Sequence, residues 1–118
     1  MELPHIEKGE RINLFELNEH LPQDRTFALI KTDTMEVIRL ALPAGKHVPQ
    51  HRVAGEITVQ CLSGELVFMV ENAERELRAG DWLYLAGFEE HSLSAITDCL
   101  LLVTIFLPVK AAHEEEVL

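Results

Sequence analysis

The chain has 118 residues, 47% hydrophobic and 25% charged, enough apolar material for one packed domain and too little length for two. Twenty acidic against 10 basic side chains leave a formal net charge of −10, a surface that repels phosphate backbones and anionic lipid. Neither a nucleic acid nor a membrane is therefore an expected partner.

Residues 1–25 read as an irregular lead-in. Met1-Glu-Leu-Pro-His5 has neither the basic patch nor the apolar run of a signal peptide, so a cytoplasmic location is expected. Asn13-Leu-Phe-Glu16 has capping-box spacing, which predicts a helical turn over Leu14 to His20. So short a helix needs the body of the protein to pack against. The apolar stretch Ile12 to Leu17 is expected to cover a partner's sheet, making the chain a homodimer.

From Thr26 the pattern turns to strands. Phe27 and Leu29 alternate with their neighbours, and Met35 to Leu42 runs into the turn Pro43-Ala-Gly45. Further β-rich runs are Glu56–Leu62, Glu65–Glu71, Trp82–Leu85, His91–Ala95 and Leu100–Leu107, with turns at Ser63-Gly64, Glu71-Asn72, Ala79-Gly80-Asp81 and Thr97-Asp98. Many short strands at this spacing predict an all-β antiparallel sandwich or barrel over 26–110, since no helical segment is long enough for parallel crossovers. The longest apolar run, Leu100 to Val109, falls well short of the ~18 residues of a membrane span. Residues 111–118 form an acidic tail expected to fray.

Cys61 and Cys99 lie in apolar runs without a C-x-x-C pattern, and are expected to be buried free thiols. Of the six histidines, His5 and His113 lie near the ends and His20 closes the helical turn. His47 and His51 are separated by an even number of residues on one extended segment. That spacing puts both on one face of a regular strand, although Pro49 between them marks an edge or a bulge. His91 opens a later strand and is expected to approach from across the sheet. Converging neutral imidazoles suit a divalent transition metal (Zn, Fe, Ni or Mn), and His51, His91 and His47 are the candidate metal ligands. Glu89 and Glu90 are candidate acid–base groups beside His91, with a solvated acidic loop the plainer reading. Tyr84 is a candidate hydrogen-bond donor should it face the pocket. Gln60 is expected outside if Ile57, Val59 and Cys61 point in.

Here the chain resembles the cupins. Their first motif, G-x5-H-x-H-x3,4-E-x6-G, aligns through Gly45, His51 and Gly64, and their second, G-x5-P-x-G-x2-H-x3-N, through Gly80 and His91. The resemblance implies a double-stranded β-helix with a metal held in the barrel. It departs where it matters chemically. The family's second histidine falls on Val53 and its glutamate on Ile57, with Glu56 one step earlier. The second motif's proline and glycine fall on Ala86 and Phe88, and its asparagine on Ala95. Only His51 and His91 keep register, so help from His47, Glu56, Glu89 or water is needed to hold a metal. Val53 and Ile57 in place of ligands make a drier pocket suited to an organic molecule. The expected function is binding of a small molecule, a divalent metal or both, with a metal-dependent dioxygenase or isomerase as the alternative.

Overall fold

A computed structural model describes residues 6–20 and 25–108, apart from the His20 side chain. The readings of His5, His113 and the tail lie outside the described residues. Among the described residues one helix, α1 (Leu14–His20), precedes nine strands: β1 (Phe27–Lys31), β2 (Met35–Leu42), β3 (His47–His51), β4 (Ile57–Ser63), β5 (Glu65–Val70), β6 (Ala73–Arg78), β7 (Trp82–Leu85), β8 (His91–Ala95) and β9 (Cys99–Phe106). They form a five-stranded sheet in the order β1-β2-β9-β4-β7 and a four-stranded sheet in the order β3-β8-β5-β6. All pairings are antiparallel. Only β1–β2 and β5–β6 are hairpins within one sheet; every other connection carries the chain across to the opposite sheet. That is the winding of a double-stranded β-helix, as expected.

Alternation explains which side chains fill the space between the sheets. On β4, Ile57, Val59 and Cys61 are buried against Leu66, Phe68 and Leu101, while Thr58 and Gln60 point out. Both cysteines are free and buried. Burial pushes the Cys61 thiol up to about 11, with Cys99 adding to the effect, so it stays protonated and behaves as a small hydrophobe. Gly64 makes the β4–β5 turn at φ +88°, and a Cβ there would lie 2.2 Å from the Asp98 carbonyl oxygen. No other residue type fits that position without backbone movement.

The lead-in covers the outer face of its own five-stranded sheet. Ile6, Ile12, Leu14 and Leu17 pack on Phe27 and Leu29. The cap forms as its spacing indicates: the Asn13 Oδ1 accepts from the backbone N–H of Phe15 at 2.9 Å and of Glu16 at 3.0 Å. Beneath this cover lies Arg39, 1% exposed on β2. Its guanidinium stands 5.5 Å from the centre of the Phe27 ring and donates to Asn18 Oδ1 at 2.8 Å and to the Arg25 carbonyl at 2.6 Å. Hydrogen bonds and a π-face thus offset the desolvation of this buried charge.

Candidate functional site

One end of the barrel holds a cavity of about 280 Å³ whose walls come from both sheets, including Ile38, Val48, Val53, Phe68, Leu85 and Ile105. Val53 and Ile57, which replace family ligands, both line it. Among the described residues that line it, only Thr26, His51 and His91 carry polar side chains. The Thr26 hydroxyl is already engaged, accepting from the Ala41 N–H at 2.9 Å and donating to the Ala41 carbonyl at 3.4 Å. The two imidazoles are what remains.

His51 and His91 sit directly opposite each other on β3 and β8, with ring centroids 4.3 Å apart and planes tilted by 60°. His91 is buried and stacks obliquely near Phe68, while His51 is exposed at the open end. Each Nδ1 lies 3.0 Å from the carbonyl oxygen two residues earlier, Pro49 for His51 and Glu89 for His91. A carbonyl only accepts, so Nδ1 carries the proton and the neutral ring keeps its lone pair on Nε2. Burial lowers the His91 pKa, outweighing the hydrogen bond to Glu89, and keeps that ring neutral near pH 7.

His47 is not part of this pair. Pairing runs Val48↔Leu93 and then His51↔His91, three steps on β3 against two on β8. This is a β-bulge at Pro49-Gln50, where proline has no N–H to give to the ladder. The extra residue reverses the alternation, so Val48 and His51 face the cavity and His47 faces outward. There its Nδ1 lies 2.8 Å from Ser94 Oγ. Even spacing predicted one shared face; the bulge overturns it.

The other helpers also point elsewhere. The Glu56 carboxylate accepts from the Tyr84 hydroxyl on the outside of the five-stranded sheet, a bond that raises the Tyr84 pKa; neither group reaches the cavity lining. Glu89 Oε1 accepts from the Ala86 N–H at 3.0 Å, holding the turn before β8. Glu90 pairs with Arg52 at 2.7 Å and accepts from Gln50. This rim cluster went unread in the sequence, although Arg52 follows His51 and Glu90 precedes His91 along the chain. Its depression of about 340 Å³ is also lined by Glu71, Asn72 and Phe88. Glu71 and Phe88 adopt φ of 57° and 62°, conformations that persist because Glu71 N–H is held by the Glu90 carbonyl at 3.1 Å and Phe88 N–H by the Val53 carbonyl at 2.7 Å.

The donor set does not suit a tightly held resident metal. Among the described residues no three His, Cys, Asp or Glu side chains converge, and two imidazoles fall short of the three protein ligands that catalytic sites usually supply.

No protein-family model matches the chain, and no curated protein matches it. Solved structures do. A cupin superfamily protein from Desulfitobacterium hafniense DCB-2 superposes with a TM-score of 0.75 at 17% identity, covering 92% of this chain and 100% of that one. A conserved protein of unknown function from Streptococcus pyogenes gives 0.73 at 18%, covering 92% and 98%. A predicted oxalate decarboxylase from Thermotoga maritima is 31% identical over 64% of this chain and 68% of its own, with a TM-score of 0.58. No helix among the described residues is long and apolar enough to cross a membrane. Strand order, winding and these structural neighbours together make the chain a small cupin by fold.

Proposed function

We propose that this protein is a binding module that takes a small organic molecule into its barrel, apolar body first, and anchors its polar end on Nε2 of His51 and His91. One observation carries this reading: an apolar cavity in which, among the described residues, two imidazole lone pairs are the only uncommitted polar side-chain groups. At about 280 Å³ the space lies just under the ~300–1,000 Å³ typical of drug-sized sites. A compact ring or a short branched chain fills it, gaining dispersion contacts that bare walls lack. The bonds from Nδ1 to the backbone hold both rings in orientation before any ligand arrives.

A ligand-observed NMR screen of small organic compounds tests this, with Val53→Phe as control. Val53 is only partly buried at the cavity wall, so a larger side chain there plugs the space while the barrel still folds. Binding lost in the plugged variant supports the reading. Hits retained by it contradict the reading.

One observation favours a second reading, a metal-dependent enzyme of the dioxygenase or isomerase type. Imidazoles pinned by Nδ1–H to backbone carbonyls are arranged as metal-ligating histidines commonly are. That reading requires a stoichiometric transition metal in protein purified without chelators, lost in His51→Ala and His91→Ala. Protein that takes up none when offered Zn, Fe, Ni or Mn ends it.

A further inference from the structure

The polarity of the site narrows the ligand class, and this step rests on the binding reading above. Among the described residues, every donor on the cavity's polar side chains is already engaged: the Thr26 hydroxyl by Ala41, and the Nδ1–H of His51 and His91 by Pro49 and Glu89. What the walls leave over is two acceptors. The depression whose Arg52 and Glu90 adjoin His51 and His91 along the chain has the same bias. Among the described residues that line it, Glu71, Glu89 and Glu90 stand with one cation, Arg52, which is already paired with Glu90. A carboxylate meets lone pairs in the cavity, and beside it must compete with Glu90 for that guanidinium. An amine or ammonium group can donate to both lone pairs, and a hydroxyl group to one of them.

We infer that the barrel selects compact apolar molecules whose polar end donates hydrogen bonds, alcohols and amines, and rejects the matching carboxylic acids. The chemistry is that of complementarity and its inverse. A donor head pairs with an Nε2 lone pair, whereas a carboxylate sets unpaired oxygens against imidazole lone pairs. The overall charge of −10 acts in the same direction, disfavouring approach of anions.

Three ligands with one apolar body test it: cyclohexylmethanol, cyclohexylmethylamine and cyclohexanecarboxylate, titrated by calorimetry at pH 7.5 into the full chain. The expected result is that the alcohol and the amine bind, and the carboxylate binds at least about tenfold more weakly or not at all. A second arm uses His91→Phe, which keeps a flat ring in place but removes its acceptor. The alcohol should then lose about tenfold in affinity while methylcyclohexane, with no polar end, keeps its own. Carboxylate binding as tight as the alcohol overturns the donor preference and leaves the binding module standing. Equal affinity of the alcohol for wild type and His91→Phe overturns the assignment of the acceptor. Failure of all four compounds, methylcyclohexane included, takes down the binding reading and the preference together.

Discussion

Replacing Gly64 with alanine separates two costs that the structure lets one count. At φ +88° a residue with a Cβ carries backbone strain of about 1–3 kcal/mol. The added methyl also sits 2.2 Å from the Asp98 carbonyl oxygen and 2.9 Å from the Cα and Sγ of Cys99. Two of those three atoms are backbone, so relief requires moving the β8–β9 connection, an overpacking cost of about 1–3 kcal/mol. Together they come to roughly 2–6 kcal/mol, or a fall in Tm of roughly 8–24 °C at about 4 °C per kcal/mol. Gly80 supplies the control. Its φ is +95° but a Cβ there meets no atom within 4 Å, so Gly80→Ala should lose only the strain, about 1–3 kcal/mol. Urea unfolding of both variants reads the difference. Equal losses at the two positions, or a loss under about 1 kcal/mol at Gly64, would refute the claim that the turn is packed against the start of β9.

Other expectations follow from single contacts. Burial depresses the His91 pKa below 6.5, so the unfolded chain binds the proton more readily than the folded one. That stability is complete above about pH 6.5 and is lost as pH falls toward the lower folded value; His91→Phe should flatten this part of the pH profile of the urea midpoint, and an unchanged slope would contradict the assignment. Asn13→Ala removes the side chain that caps α1 and should lower stability by about 1 kcal/mol in the same assay, whereas no change would mean the helix contributes nothing to the fold. If the chain pairs as a homodimer, light scattering should read twice its 13.4 kDa, and a monomer at micromolar concentration ends that expectation.

Strands with one buried face were legible because burial imposes period-two alternation. Met35–Leu42, Trp82–Leu85 and His91–Ala95 are strands over the same residues as expected, as is α1 from its cap. Strand β6, Ala73-Glu-Arg-Glu-Leu-Arg78, was missed. It is the edge of the four-stranded sheet and buries only Leu77, so its charges read as a polar connection. Such charges are what an exposed edge needs to avoid pairing with another chain.

The site was legible in its centre and not around it. Motif spacing brought out His51 and His91, and the register places them opposite each other. His47 failed because a one-residue bulge is invisible to a spacing rule, although Pro49 signalled the irregularity. Glu56 failed because the residue that turns inward at that end of β4 is Ile57, as regular alternation requires. The cavity wall is assembled from strands scattered over the chain, which no local pattern brings together, and Arg39 is buried by a segment more than a strand's length away in sequence.

The most direct measurement is a crystal structure of the protein with cyclohexylmethanol bound. The account predicts the ring among Val48, Val53 and Ile105, with the hydroxyl at ~2.7–3.1 Å from Nε2 of His51 or His91. A ligand on the outer face of either sheet, or imidazoles turned so that Nδ1 meets the ligand, would contradict it.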